Sequence, residues 1–509
     1  MFNFLKRSVS FLIVAVMITS MLLLTSCEKE ESSETPGGGK IDKLAISADY
    51  VVTRPDSASN IEVALAKVIK DAIKTESGVN LTVTTDWLRP DATAPEKEIL
   101  VGETVRAESA AVYEKLEENQ WAVTVANNKL IIAGKGSKAL SDAVNYFVDT
   151  YIKGKTIVEI EADAEKYDTS KLVYFSWEDG ETATVCGGGS YPRLYKLQDG
   201  RLMCARDGIY AIYSKDDGLT WRTQGKGTPL SFFPQYACAN PAIFQMEDGE
   251  IFVAYRAVGM DGDKYYRGIH VSSSKDNGKT WQKQPDVIVT NNDDDGGVWE
   301  PHFFLINGIL TVAYANDDAE YVTPPYQHLE YKQLIDGEWT NRTIMANGMD
   351  HKSRDGMPFV IQLSTGEYVC ALEGWIPNTY QLMIKLIYSE DGITWSEPVN
   401  VYRANNINAG APAVAELPTG QLVVSFQTAE DCPDKKCTQM RTVISDGTPI
   451  QYLTEENFTE PENTFATPEG YRSMWNGLYT TEDYIYAITG TGHPSGQIKL
   501  RRYPLKDME

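Results

Sequence analysis

Two glutamates stand in settings suited to acid–base chemistry. Glu300 is held in Val298-Trp299-Glu300-Pro301, directly before the apolar run Phe303-Phe304-Leu305, and Glu373 closes the strand pattern Tyr368-Val369-Cys370-Ala371-Leu372, just before Gly374-Trp375. Paired carboxylates with aromatic neighbours able to stack on sugar rings are what cleavage of a glycosidic bond requires. One donates a proton to the leaving oxygen and the other acts as nucleophile or base. Residue types and spacing leave a second role equally open, in which the glutamates are ion-pair partners of Arg193, Arg256 or Arg354 and do no chemistry. The five histidines form no HExxH or Cys/His spacing, so neither a zinc centre nor any other cofactor is expected.

The elements that must position these residues repeat. A hairpin of apolar strand, turn glycine and apolar strand recurs around Gly200, Gly249, Gly308, Gly366 and Gly420, with a divergent sixth around Asp483. A proline leads into the first strand each time, at Pro192, Pro241, Pro301, Pro358 and Pro412. Independently, residues 214–221 (Ser-Lys-Asp-Asp-Gly-Leu-Thr-Trp) and 274–281 (Ser-Lys-Asp-Asn-Gly-Lys-Thr-Trp) share the turn motif S-x-D-x-G-x-T-W, in which the aspartate caps backbone amides and the glycine takes the strained turn conformation. Shortened copies end at Trp339 and Trp395, so Trp221, Trp281, Trp339 and Trp395 lie 60, 58 and 56 residues apart. A repeat of about 57 residues over 170–509 predicts six four-stranded blades, an all-β six-bladed β-propeller, closed by a strand at 172–177.

In such a fold the innermost strands surround a channel, and the repeat makes their positions comparable. Beside the recurring prolines stand Tyr191, Arg193, Asn240, Glu300, His302, Arg354, Asp355, Met357 and Ala411; seven residues past each turn glycine come Asp207, Arg256, Ala315, Glu373 and Gln427. Scaffold repetition alone predicts bland residues there, so the polar members mark the functional face. Trp299, Trp375, Tyr471 and Trp475 complete the candidate substrate contacts.

From about Gly188 to Leu505 the chain resembles family 93 of the glycoside hydrolases, the exo-α-1,5-L-arabinanases of the sialidase-like superfamily. The resemblance rests on Ser190-Tyr191-Pro192-Arg193-Leu194, Asn240-Pro241, Trp299-Glu300-Pro301, Ser353-Arg354-Asp355-Gly356-Met357-Pro358, Leu372-Glu373, Ala409-Gly410-Ala411-Pro412 and Ser425-Phe426-Gln427-Thr428. It implies Glu300 as general acid/base and Glu373 as nucleophile of a retaining, exo-acting hydrolase, with arginines binding sugar hydroxyls. Two departures are His302, where an aromatic or aliphatic residue is expected, and an appended N-terminal region. A sialidase of the same superfamily is an alternative, for which Arg206, Arg256 and Tyr471 would be candidates, although no Arg-Ile-Pro phrase is present. A glycan-binding lipoprotein without catalysis is a third reading.

Residues 41–167 follow another pattern. Stripes at helical spacing over 61–75 and 139–151 flank short strands at 81–84, 98–101, 122–125 and 129–133, predicting a smaller N-terminal α+β domain. With Glu98-Ile-Leu-Val-Gly-Glu-Thr104 and Asn127-Asn-Lys-Leu-Ile-Ile-Ala-Gly134, it resembles the non-catalytic domain ahead of hexosaminidase and α-glucuronidase catalytic domains.

The remaining features concern address and partners. Lys6 and Arg7 precede a charge-free run over 11–24, too short to span a bilayer, which predicts a signal peptide over 1–26. Leu24-Thr25-Ser26-Cys27 resembles a bacterial lipobox, and the acidic 28–31 resembles the surface-export pattern of lipoproteins in the Bacteroides group. These imply a lipid on Cys27, a flexible tether over 27–40 and a place on the outer membrane. A net charge of -24 opposes nucleic acid, leaving an oligosaccharide or polysaccharide as partner of a monomer. Six cysteines follow Cys27; Cys432 and Cys437 could close one loop, while Cys204 and Cys370 read as buried thiols. The acidic run 291–297 reads as a solvated turn rather than a calcium loop.

Overall fold

A computed structural model describes residues 43–222, 228–292, 296–432, 438–465, 467, 471–491 and 496–508. Cys27, the tether, Cys437 and residues 293–295 of the acidic run lie outside the described residues. Six antiparallel sheets follow one another in sequence. Their innermost strands are Arg193–Lys196, Ala237–Gln245, Val298–Ile306, Gly356–Gln362, Ala409–Glu416 and Ser473–Thr480, which begin blades 1 to 6 of a six-bladed β-propeller.

The apolar faces of these strands have no partner within their own blade, so the cores form between blades. Phe252 and Val271 of blade 2 meet Phe303 and Val312 of blade 3, and Phe304 and Ala313 of blade 3 meet Val360 and Cys370 of blade 4. Each blade is thus stabilised by burial against its neighbours rather than by its own hydrogen bonds.

The turn motifs behave as their residue types require. Ser214 Oγ accepts from Gly218 N at 2.9 Å, Asp216 Oδ1 accepts from Thr220 N at 2.9 Å, and Trp221 Nε1 donates to Gly218 O at 2.8 Å. Residues 274–281 repeat these bonds, and at 389–395 Gly392 N again donates to Ser389 Oγ and Trp395 Nε1 to Gly392 O. Trp339 departs from the expected equivalence. It lies in a two-residue strand, Glu338–Trp339, and its Nε1 reaches Pro285 O instead. The remnant Asp336-Gly337 lacks the serine that organises the other turns.

Ring closure also differs from expectation. The strand that pairs with Gln497–Pro504 of blade 6 is Glu181–Cys186, not 172–177. Residues 172–176 carry no strand, and Trp177 begins a short 3₁₀ turn in which its buried indole donates to Thr442 Oγ1 of blade 5 at 2.9 Å. Apolar character at 172–177 thus reports the packing of Phe175 and Trp177 into the core of blades 5 and 6, while the alternating Glu181-Thr-Ala-Thr-Val-Cys186 is the outer strand.

Ahead of the propeller, helices α1 (Asn60–Ser77), α2 (Ala107–Tyr113) and α3 (Ser137–Phe147) accompany a mixed six-stranded sheet. Ser59 and Glu62 form a capping box on α1, and Gly78 ends it at φ 77°. α2 was not visible as a periodic stripe, being only seven residues long. The central strands pair in parallel, Val51–Arg54 with both Thr82–Thr85 and Glu98–Val101, and the latter with Lys129–Gly134. All these elements belong to one compact unit, Lys43–Glu509.

Candidate active site

The site is built from one irregularity repeated six times. At the start of each innermost strand one non-glycine residue takes a left-handed backbone: Tyr191 (φ 50°), Asn240 (55°), Glu300 (44°), Met357 (53°), Ala411 (50°) and Trp475 (56°). In blades 2 to 6 this residue and its successor form a bulge that interrupts the register with the second strand. The conformation costs about 1–2 kcal/mol at a non-glycine residue, and a following proline restricts the backbone further. Such bulges re-aim a side chain out of the sheet's alternation. Tyr191, Met357, Ala411 and Trp475 converge in one apolar cluster, with the Tyr191 and Trp475 ring centroids 6.1 Å apart. Glu300 is the acid in this ring of six.

A second ring lies opposite the bulges, one residue per blade: Arg256 pairs with Ala239, Ala315 with Trp299, Glu373 with Gly356, Gln427 with Gly410 and Gly490 with Met474. In blade 1 Asp207 holds this place, its N–H donating to Ser190 O at 3.0 Å. Three members reach across to the left-handed residue of the next blade and accept its backbone N–H. Asp207 Oδ1 takes Asn240 N at 2.9 Å, Glu373 Oε2 takes Ala411 N at 2.8 Å, and Gln427 Oε1 takes Trp475 N at 2.7 Å. Gly410 permits the middle bond, since a Cβ there would stand 2.5 Å from Glu373 Oε2. The backbone amide of Ala411 is a functional group that no side-chain pattern in the sequence announces.

Glu300 and Glu373 therefore come from neighbouring blades to the same end of the channel, with different surroundings. Burial and the negative charge of Glu373 push Glu300 up to about 7, against the opposing pull of Arg256 and Arg354. Burial also raises Glu373, but the Ala411 N–H and Arg354 favour its charged form, and Arg354 Nη1 stands 3.8 Å from Oε1. Glu373 Oε2 is thus anchored while Oε1 is free of any hydrogen bond. Asp207 is raised by burial as well, with Ser190, Asn240 N and Arg256 acting against it. Between Glu300 and Asp207, the Arg256 Nε has no hydrogen-bond partner, and neither has the buried Asn240 Oδ1. These orphaned groups can meet the hydroxyls of a bound ligand.

The other candidates separate into several places. Trp299 packs under the Arg256 guanidinium at 4.6 Å and donates Nε1–H to Asp317 Oδ1 at 2.7 Å. Trp375 is buried, edge-on to the exposed Tyr380 at 4.8 Å. Arg193 does not pair with either glutamate: its Nη1 donates to the carbonyls of Pro192, Trp475 and Asn476, and its guanidinium covers Tyr191 at 4.0 Å. His302 Nε2 donates to Val360 O at 2.9 Å, and burial with the nearby Arg193 holds its ring neutral, pushed down to about 3. Asp355 is fully buried, accepting from Ser353 Oγ at 2.6 Å, 3.1 Å from His351 Nδ1 and 3.9 Å from Lys385 Nζ, so it braces the loop of Arg354. Tyr471 has no hydrogen bond to the carboxylates among the described residues, and Arg206 donates from Nη1 to Asp207 O with its guanidinium over Tyr210. Cys432 is disulfide-bonded, whereas Cys186, Cys204, Cys238 and Cys370 are free.

A cavity of about 430 Å³ runs along the axis among the later residues of the innermost strands, lined by Arg193, His302, Phe244, Phe359, Val414 and Leu478 among others. Neither Glu300 nor Glu373 lines it. The two glutamates and the orphaned Arg256 Nε and Asn240 Oδ1 stand at the bulges or directly opposite them, apart from this mostly apolar space.

This architecture is that of the six-bladed propellers found among glycoside hydrolases. The structure superposes on an α-L-arabinanase of Penicillium chrysogenum complexed with arabinobiose (TM-score 0.50, 16% identity, 64% of this chain and 99% of that one). It also superposes on the family 93 α-L-arabinofuranosidase of Fusarium graminearum with arabinobiose (TM-score 0.51, 18% identity, 64% and 98%). No protein-family model matches the sequence, and no curated protein sequence matches it. At these identities the superpositions show a shared fold.

Proposed function

We propose that this protein is an exo-acting, retaining glycoside hydrolase on α-1,5-L-arabinan or its oligosaccharides. The observation that carries the reading is the unequal pair: Glu300 raised to about 7, beside Glu373 with one oxygen anchored by Ala411 N and the other facing Arg354. Two carboxyls driven apart in this way can serve as acid and nucleophile at neutral pH. Glu373 Oε1 attacks the anomeric carbon, a bond forms between them, and the bond to the leaving oxygen breaks as Glu300 gives that oxygen its proton. In the glycosyl-enzyme the charge on Glu373 is gone, so Glu300 becomes a stronger acid and its carboxylate can take a proton from water, which then displaces Glu373. Arg256, Asn240 and Asp207 would bind sugar hydroxyls, and the arabinobiose complexes of the two superposed enzymes favour arabinose as the sugar.

Product analysis on debranched arabinan, with sialyl-lactose in parallel, tests this reading. Release of arabinose or a short arabino-oligosaccharide with retained anomeric configuration supports it. Cleavage of sialyl-lactose alone would transfer the site to a sialidase, and binding of arabinan without products would make the protein a glycan-capturing module. We further propose a lipid anchor on Cys27 that holds the protein as a monomer on the outer membrane, with residues 41–167 as a spacer domain. Cys27→Ala should then leave the membrane fraction; unchanged fractionation would remove the anchor.

A further inference from the structure

Gln327, which no motif singled out, is completely buried, yet neither its Oε1 nor its Nε2 has a hydrogen-bond partner. An orphaned buried amide costs about 1–3 kcal/mol, so its retention calls for a reason. Its main chain is firmly seated. Gln327 N donates to Ser353 O and Asp355 N to Gln327 O, both at 3.3 Å, bridging it to the loop of Arg354. Gly348 seats it from the other side, where a Cβ would fall 1.9 Å from Gln327 O. The side chain ends over Gly356, the cross-strand partner of Glu373. The point a Gly356 Cβ would occupy is 3.1 Å from Gln327 Oε1 and 3.6 Å from Glu373 Oε1. The amide and the unanchored carboxylate oxygen therefore both border the space over the one residue of that strand lacking a side chain to separate them.

We propose that Gln327 is a positioning residue for Glu373, donating from Nε2 to Oε1 after a half-turn of its amide, which exchanges two groups of nearly equal shape. The role rests on reading Glu373 as the nucleophile. Oε2 is fixed by Ala411 N, and a donor on Oε1 from the side of Gly356 fixes the remaining rotation of the carboxylate plane. Arg354, at 3.8 Å, supplies charge without that directional bond. A donor to the ionised form also keeps Glu373 charged against the cost of its burial.

The test needs no substrate. In protein carrying ¹³C-carboxyl glutamate, the Glu373 resonance is assigned by its loss in Glu373→Gln and titrated in wild type and in Gln327→Met, which keeps the volume and removes the amide. The Glu373 pKa should rise in the variant by about 0.5 to 1 unit, the equivalent of one hydrogen bond. An unchanged titration overturns the proposal and leaves Gln327 a packing residue, whatever happens to the melting temperature. Gly356→Ala is the second variant: its methyl would stand 3.1 Å from Gln327 Oε1 and 3.6 Å from Glu373 Oε1, displacing the amide by a few tenths of an ångström, and it should raise the same pKa. On arabino-oligosaccharides kcat should fall about tenfold in Gln327→Met with KM nearly constant. If wild type cleaves no arabinoside but the titration shifts, the positioning stands and the proposed substrate fails; if it cleaves and the titration does not shift, the reverse holds.

Discussion

The junction of blades 4 and 5 and the junction of blades 5 and 6 are built alike. In each, the residue opposite a bulge reaches forward and accepts the N–H of the next blade's left-handed residue, from Ala411 in one and from Trp475 in the other. The acceptor is Glu373 at the first and Gln427 at the second. The scaffold thus needs an oxygen at this place and has no use for a charge, since an amide makes the same bond at 2.7 Å. An acid costs more than an amide to bury, and burial does raise Glu373. The carboxylate at the first junction, like that of Asp207 at the junction of blades 1 and 2, therefore carries a charge that the backbone bond does not require.

The largest expected effect is the loss of activity in Glu373→Gln, about 10⁴-fold or more in kcat on arabino-oligosaccharides. The same variant should melt close to wild type, because glutamine at 373 can hold Ala411 N as Gln427 holds Trp475 N. A collapse of the melting temperature would break the equivalence of the two junctions.

Next comes Glu300→Gln, which should lower kcat/KM by about 10²–10⁴-fold on natural linkages and far less on aryl arabinosides whose leaving group needs no proton. Wild-type activity should decline as pH rises through about 7, where Glu300 loses the proton it must donate, and this limb should vanish in the variant. Stability follows the same titration. The folded state holds a proton on Glu300 that the unfolded chain releases at a lower pH, so the wild type loses stability between about pH 4.5 and 7. Glu300→Gln should accordingly melt higher than wild type above pH 7 and lose that advantage towards pH 4.5; an equal melting profile would count against the buried acid.

Gln427→Leu sharpens the comparison from the amide side. It leaves Trp475 N without its acceptor and should cost about 1–3 kcal/mol of stability, read by chemical denaturation. The smallest effect belongs to the outer turns: Ser214→Ala removes the acceptor of Gly218 N and should cost about 1 kcal/mol while catalysis, at the other end of the blade, is unaltered. A catalytic defect there would mean that the turns do more than hold the blades' edges.

The blade count was legible because the turn chemistry repeats: serine, aspartate, glycine and tryptophan each have one geometric task, and the spacing counts the blades. The bulges were legible only through the prolines. Tyr191, Asn240, Glu300, Met357, Ala411 and Trp475 share a backbone conformation and no side-chain property, and the sixth is followed by Asn476 instead of proline. The burial of Asp355 was not legible because its partners, Lys385 on a following strand and His351 in the preceding turn, are distant or inconspicuous in sequence. Gln327 and the Ala411 amide escaped for a related reason. One is a neutral residue whose significance is the absence of a partner, and the other is a main-chain group.

The strand Glu181–Cys186 bears on how the molecule comes to exist at all. It pairs with Gln497–Pro504, more than 300 residues further along. A ring closed in this way leaves Glu181–Cys186 with an open edge until the strand more than 300 residues further along has been made. Loop closure of that length is slow to find, although its entropic cost grows only with the logarithm of the loop. Once found, it joins the first and last strands of the propeller as a seam joins a belt, so that separating either strand from its partner must open a blade. A cut within Gln497–Pro504 would be felt by the whole ring, whereas a nick in an outer turn would leave the seam shut.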